Sequence, residues 1–289
     1  EHIRDRKKLE KEIRDFVRKF TLKERVYQGV ALSPAEATAL IELEYQIRKP
    51  IPYVEKVRLH TFGFRVEGKH IVTLNLEGQQ LEKLPENLGN LKELRVLDLS
   101  RNQLNTFPKS FINLKKLEEL SLFFNRFDLL PESFGQLKNL HTLNLGWNQI
   151  ENLPQSIIHL TNLQNLDLSC NKIKFLPKAF NELENLQNLN LKDNGLVNLP
   201  SVVLLIESLQ KLDLEENQIE RIPNDIVTLK KLKHLNLKCN SLGRGSLPKA
   251  LEELSLETLD LRGNRFKSKP AVVRRLEEGG CTVKFKEKK

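Results

Sequence analysis

The chain has few cysteines and no long apolar run, and each shortage excludes a class of protein. Its longest unbroken apolar stretch is residues 202–206, whereas a membrane-spanning helix needs about 20 apolar residues. Its first residues also lack the apolar core of a secretory signal peptide. The three cysteines cannot all pair with one another, and no Asn-x-Ser/Thr glycosylation site occurs. We therefore expect a soluble, cytoplasmic protein.

Motifs typical of enzymes are missing from the sequence. The six histidines are scattered, and neither His-Glu-x-x-His, Gly-x-Ser-x-Gly nor a phosphate-binding Gly-x-x-x-x-Gly-Lys-Ser/Thr is present. The cysteines have no second Cys or His at metal-ligand spacing. We therefore expect a non-enzymatic protein with no catalytic residues, no metal and no cofactor.

The charge is unevenly distributed along the chain. The formal net charge is +9, but the positive excess lies in residues 1–60 and 262–289, and the long middle section is slightly acidic. Nucleic-acid binders usually spread Lys and Arg over their working face, so we expect neither nucleic acid nor membrane on the middle section. One alternative stays open, in which the basic ends tether the chain to nucleic acid or to an anionic membrane.

The middle section is a repeat of 23 residues. An Asn recurs at this spacing from Asn102 to Asn240, Asn264 follows one residue late, and Gln79 stands one period earlier. Each copy reads x-Leu-x-Leu-x-x-Asn and is followed by a Pro with an apolar residue three positions later. Leu-x-Leu places two apolar side chains on one face of a short strand, and one copy cannot bury them alone. The copies must therefore stack, and we expect the Asn residues to satisfy buried backbone groups at the turns.

These residues resemble the leucine-rich repeat family, specifically its 23-residue intracellular Leu-Pro type. The resemblance implies an α/β solenoid, a right-handed horseshoe of about nine repeats with a concave parallel sheet. It also implies a protein-interaction module. The similarity of the repeat type to that of Ras-associated scaffolds raises a signalling scaffold or a small-GTPase binder as its role. We expect a monomer whose protein partner lies on the concave face. A second open alternative is that the chain is the recognition domain of a larger enzyme or receptor.

The ends of the repeat array are predicted to carry caps. Ser33-Pro34-Ala35-Glu36 predicts a helix start, and residues 61–74 predict a hairpin that leads into the first repeat. This stretch is similar to the N-terminal cap of archaeal leucine-rich repeat proteins. Residues 1–30 predict a charged helix with one apolar stripe, and residues 274–285 predict a last helix, a glycine break and an edge strand. The expected divisions are an N-terminal helical segment (1–50), a hairpin cap (51–70), the repeats (71–276) and a C-terminal cap (277–289).

The solvent-facing positions of the repeat frame are expected to carry function. The position between the two leucines alternates Asn with Asp over much of the array, which predicts a hydrogen-bonded polar row along the sheet. The position before the repeated Asn carries aromatic side chains in two adjacent copies, and exposed aromatics are typical of binding hot spots. Acidic side chains follow further along and could orient a partner. The candidate partner-binding residues are Arg101, Phe123, Phe124, Arg126, Trp147, Asp193, Glu215 and Glu216.

Overall fold

The structure is a computed structural model that describes residues 26–27, 29–56 and 61–286. These residues form two compact units, one up to Ser121 and one from Leu122 onward. Within the described ranges, no helix combines the length and the apolar character needed to cross a membrane. Most of the helix predicted for residues 1–30 lies outside the described residues, as do the last three residues of the basic tail.

The first unit contains a small hairpin, one α-helix and a four-stranded sheet. Two 3₁₀ helices, Glu86–Asn90 and Lys109–Asn113, follow the prolines of the first two repeats. The other elements are β1 (Val26–Tyr27), β2 (Val30–Ala31), α1 (Pro34–Ile47), β3 (Gly63–Glu67), β4 (His70–Asn75), β5 (Val96–Asp98) and β6 (Glu119–Ser121). Strand β3 pairs antiparallel with β4, and β4 to β6 are parallel.

The predicted helix through residue 30 is wrong at its C-terminal end. Val26–Tyr27 and Val30–Ala31 pair as the antiparallel strands β1 and β2, with Val26 opposite Ala31. Gly29 lies between the strands with a φ of 82°. The β-branched Val26 and Val30 favour strands, and a glycine at positive φ suits the turn between them.

The helix predicted after Ser33 is confirmed, together with its cap. The Oγ of Ser33 accepts a hydrogen bond from the Glu36 amide at 3.3 Å. The Glu36 side chain is buried, and its carboxylate accepts a hydrogen bond from the Ile71 amide at 3.1 Å. This one carboxylate therefore ties the start of α1 to the first residues of β4.

The second unit is a stack of repeats closed by a helix and a last strand. Six 3₁₀ helices of its described residues are Glu132–Gln136, Gln155–His159, Phe180–Glu182, Ser201–Leu205, Asn224–Thr228 and Lys249–Glu253. The other elements are β7 (Thr142–Asn144), β8 (Asn165–Asp167), β9 (Asn188–Asn190), β10 (Lys211–Asp213), β11 (His234–Asn236), β12 (Thr258–Asp260), α2 (Ala271–Glu278) and β13 (Thr282–Lys284). All seven strands are parallel. The predicted last helix and edge strand are thus confirmed.

The repeated Asn residues form the predicted buried ladder. The Nδ2 of Asn148 donates to the carbonyl oxygens of Leu122 and Leu145, both at 3.0 Å. Its Oδ1 accepts a hydrogen bond from the Phe127 amide at 3.0 Å. The same pattern recurs at Asn171 in the next copy. Each side chain therefore satisfies the backbone of its own coil and of the preceding coil.

The apolar residue three positions after each Pro is buried in both units. These nine residues are core side chains of their own unit, and none is more than 2% exposed: Leu88, Phe111, Phe134, Ile157, Phe180, Val203, Ile226, Leu251 and Val273. The preceding prolines sit in extended backbone before most of the helices, for example at φ −71° for Pro131. The proline φ fits this conformation, and the missing amide costs nothing at a 3₁₀ helix start.

The eighth copy has two extra residues before its Pro and takes an altered turn there. Gly245 has a φ of 72°, and the Ser246 amide donates to the Gly243 carbonyl oxygen at 3.1 Å. The Ser246 carbonyl oxygen then accepts from the Ile222 amide at 2.9 Å, so the insertion keeps its contact with the preceding coil.

Candidate functional site

The residue just before each ladder Asn has a left-handed backbone. Phe124, Trp147 and Asp193 have φ values of 57°, 55° and 50°. The corresponding residues at the first and last repeats are Gly78 and Gly263, with φ values of 68° and 73°. Most side chains avoid this region, so the turn itself requires it. The left-handed bend turns the chain inward to the Asn and leaves the side chain before it facing solvent.

We call Phe123, Phe124 and Trp147 the aromatic cluster. The ring centroids of Phe124 and Trp147 are 5.7 Å apart, and those of Phe123 and Phe124 are 6.3 Å apart. Phe124 is 49% exposed and Trp147 51%, as the sequence predicts, whereas Phe123 is half-buried. Phe123 covers Gly146, where even a methyl group would come within 3.2 Å of its ring.

The cluster lies beyond the end of its strand and not on it. Strand β7 ends at Asn144, three residues before Trp147. Backbone hydrogen bonds continue past the strand, because the Phe124 amide donates to the Gly146 carbonyl at 2.9 Å and the Trp147 amide donates to the Ser169 carbonyl at 2.8 Å. The two exposed rings are thus held on paired backbone at the carboxyl ends of the strands.

The two candidate arginines differ in their surroundings. Arg126 belongs to the coil of Phe124, is exposed, and makes no ion pair within the described residues. Arg101 lies in the first unit, where its Nε is 3.2 Å from a Glu77 carboxylate oxygen. Arg126 therefore offers a cation in the coil that carries Phe124, whereas the Arg101 charge is already balanced.

The predicted polar row is present along the second unit. The Nδ2 of Asn190 donates to Asp167 and that of Asn236 donates to Asp213, each at 3.1 Å. The second oxygen of Asp167 accepts from the Ser169 amide at 2.8 Å, and an equivalent bond recurs at Asp213. The sequence indicated the bonds between strands, but not these local turns. The row is a structural part of the sheet.

The acidic candidates Glu215 and Glu216 are built into a salt-bridge network. Glu215 lies 2.6 Å from the Lys238 Nζ and 3.4 Å from the Lys192 Nζ. Lys192 also lies 3.4 Å from a carboxylate oxygen of Glu216. Burial by itself raises the pKa of Glu215, but hydrogen bonds from Lys238 and Asn236 and the nearby Lys192 charge together hold it at about 2. The network is therefore close to neutral and offers a partner little net acidity.

Asp193 interacts with a thiol and, among the described residues, forms no salt bridge with a lysine. Burial and then the negative charge of Asp193 raise the pKa of the Cys170 thiol to about 11. A thiol with this pKa stays protonated at neutral pH and is a poor nucleophile or metal ligand. Cys170 is accordingly a neutral neighbour of Asp193.

A polar groove lies beside the aromatic cluster, and single positions of the sequence did not reveal it. Strands β7 to β10 are in register, so that Thr142, Asn165, Asn188 and Lys211 form one row, and Asn144, Asp167, Asn190 and Asp213 form the next. These two rows line a shallow groove of about 480 Å³. The signal was present in the sequence, because Asn165 and Asn188 occupy the position before the first leucine in the two copies that follow Trp147.

The comparisons with known proteins agree on the fold. The family model for the leucine-rich repeat matches residues 69–127, 138–196 and 207–266. No curated protein sequence matches the chain significantly.

Three solved structures illustrate the likeness. An internalin of Listeria monocytogenes, InlF, is 24% identical with a TM-score of 0.65, covering 75% of this chain and 62% of its own. A leucine-rich repeat protein of Leptospira interrogans is 28% identical with a TM-score of 0.51, covering 74% of this chain and 72% of its own. The ectodomain of the plant membrane receptor kinase GASSHO1/SCHENGEN3 of Arabidopsis thaliana, in complex with CASPARIAN STRIP INTEGRITY FACTOR 2, is 27% identical with a TM-score of 0.53. It covers 72% of this chain and 29% of its own.

This chain therefore spans less than two thirds of the internalin chain and less than a third of the receptor ectodomain. The three family matches together cover more than half of its residues, and the repeats that they cover carry the strands and ladder described above. The chain belongs to the leucine-rich repeat family.

Proposed function

We propose that the chain is a non-enzymatic module that binds a protein partner, and that the aromatic cluster is the anchor of the interface. The observation that carries this proposal is the exposure of Phe124 and Trp147, each about half accessible although their rings are only 5.7 Å apart. Aromatic side chains and arginine are enriched in binding hot spots, and Arg126 supplies the second type. The rings are also pre-organised, because the backbone that carries them is hydrogen-bonded on the next coil.

The partner that we propose is a signalling protein such as a small GTPase. The role as a signalling scaffold or small-GTPase binder is supported by the repeat type. The cytoplasmic location is supported by the lack of paired cysteines and of glycosylation sites in the sequence. The salt-bridge network around Glu215 supports a role in orientation and not in affinity, because its charges are already paired.

A pull-down with an aromatic double variant tests the proposal. Phe124→Asn/Trp147→Asn removes both exposed rings, and Asn is chosen because it tolerates the left-handed backbone at both positions. We expect capture of the partner from source lysate, identified by mass spectrometry, to be lost. Affinity for the purified partner should fall at least about 30-fold, which corresponds to about 2 kcal/mol.

The matched control removes apolar side chains that are equally exposed elsewhere in the same unit. Leu129 is 60% exposed and Phe175 is 73% exposed. Leu129→Asn/Phe175→Asn should capture the partner as the wild type does, and circular dichroism should show all three proteins folded. Equal capture by the aromatic variant and the wild type would move the interface away from the cluster.

A second candidate function is that of the ligand-recognition part of a larger receptor. Its support is the 27% identity to the receptor kinase ectodomain, which covers 72% of this chain. The full reading frame around this sequence tests it, since a membrane-spanning segment or a kinase domain in the same frame is expected. A reading frame that encodes neither of them would contradict the receptor candidate and favour the free-standing interaction module.

A further inference from the structure

We infer that the segment bound beside the aromatic cluster is an extended peptide with one large apolar side chain and one carboxylate. The apolar side chain stacks on Phe124 and Trp147, and the carboxylate pairs with Lys211 at the far end of the polar groove. This inference rests on the proposed function, because it uses the same aromatic anchor and adds the chemistry of the segment that it holds.

The groove has unused hydrogen-bonding groups that suit a main chain. Asn188 donates to Asn165 at 2.6 Å, and Asn165 donates to Thr142 at 3.2 Å, so the amides run in one direction. Within the described residues, this leaves the Oδ1 of Asn188 without a donor and the Nδ2 of Asn144 without an acceptor. An extended segment carries both donors and acceptors along its backbone and can satisfy both groups.

Lys211 supplies the charge that selects the partner. It is exposed at the end of the row and makes no ion pair with any described residue. The neighbouring cations differ, because Lys192 and Lys238 are paired with Glu215, and Lys233 is paired with Glu257. An acidic side chain of the partner can therefore pair with Lys211 without first breaking an ion pair of the groove.

The spacing of the two anchors indicates an extended conformation. Lys211 is level with Thr142 and three strands away from it, about 14 Å at a strand spacing of about 4.8 Å. Trp147 lies five residues beyond Thr142 along the chain. The diagonal from Trp147 to Lys211 is then on the order of 20 Å, which about six residues of extended chain cross. A helix would need about 13 residues for the same distance.

Selection from a phage-displayed library of random 15-residue peptides tests the inference on the whole chain. We expect the wild type to enrich peptides with a large apolar residue and, about six positions away, Asp or Glu. Lys211→Glu should enrich Lys or Arg at that second position. It should also weaken the best acidic peptide at least about tenfold, measured by fluorescence anisotropy. Lys230→Glu reverses an exposed lysine outside the groove and should select like the wild type.

The aromatic double variant separates this inference from the proposed function. If Phe124→Asn/Trp147→Asn loses the apolar preference while Lys211→Glu selects the same peptides as the wild type, the carboxylate pairing is wrong and the anchor stands. If no peptide is enriched, but the chain still captures a folded protein and this capture depends on Trp147, the inference of an extended segment is wrong. Selection that neither variant changes would overturn both proposals.

Discussion

At the residue scale, one backbone position decides which side chains face a partner. The residue before each ladder Asn is left-handed in every copy, including Trp147 and Cys239. A non-glycine residue in this conformation costs on the order of 1 kcal/mol, and the ladder bonds of the following Asn offset it. The same geometry exposes Trp147 but buries the Asn after it. An aromatic residue at this position is therefore on the surface, because the left-handed turn points its side chain toward solvent.

Glu215 makes the stability of the second unit depend on pH at the acidic end. Its folded-state pKa, about 2, is below that of an unfolded glutamate, so the stabilisation is complete above about pH 4.5. It is lost as the pH falls through about 2, and its size is at most about 3 kcal/mol, since Glu215 is 14% exposed. We expect Glu215→Gln to lower the free energy of unfolding at pH 7. Between pH 4.5 and 2, the free energy of unfolding of this variant should decrease less than that of the wild type.

Urea unfolding at a series of pH values measures this difference. Glu220→Gln is the matched control, because Glu220 is exposed, follows Glu215 in the same coil and makes no ion pair with any described residue. Parallel pH profiles for wild type and Glu215→Gln would contradict the prediction.

At the scale of the element, the short 3₁₀ helices set how closely neighbouring coils approach. Gly135 lies in the helix Glu132–Gln136, and a Cβ added there would be 2.2 Å from the Ser156 carbonyl oxygen of the next coil. Glu132 reinforces the contact, because its carboxylate accepts from the amides of Gln155 and Ser156 at 3.0 Å and 2.9 Å. These backbone hydrogen bonds, that of Ser156 first, lower the pKa of Glu132. Glycine at 135 is thus required by packing and not by its φ.

We expect Gly135→Ala to destabilise the second unit by about 2 to 4 kcal/mol. The clash is with backbone, which cannot move aside without breaking the coil contact. Gly243→Ala is the control, because its nearest neighbour would be 4.0 Å from the added carbon. Thermal unfolding of both variants measures the effect, and equal midpoints would show that the coils separate easily at Gly135.

At the scale of the whole molecule, each unit is held together by contacts between successive coils. The second unit ends in α2 and β13, which cover the last repeat, and the α2 residues Val273 and Leu276 are buried there. Repeat arrays unfold from exposed ends when such a cover is removed. The stability of the last coils therefore depends on the apolar face of a helix of eight residues.

We expect Val273→Asp to loosen the end of the second unit first. A carboxylate placed at this fully buried position costs several kcal/mol unless the helix detaches. Hydrogen exchange should then become faster in β12 than in β7. Arg274→Asp changes the exposed neighbour in the same helix and should leave exchange unchanged. Uniform acceleration through the unit, or none in β12, would contradict this account of the cover.

The sequence alone determined the repeat, its strands, its Asn ladder and its buried row, because each follows from a periodic pattern of local chemistry. It also predicted that Phe124 and Trp147 are exposed, since the frame itself points them outward. Only the tertiary structure decided which of the charged candidates remain unpaired. Glu215 and Lys192, 23 residues apart in the chain, neutralise each other across adjacent coils, whereas Arg126 makes no ion pair with any described residue. Side-chain pairing between coils depends on rotamer and reach, and a one-dimensional frame specifies neither.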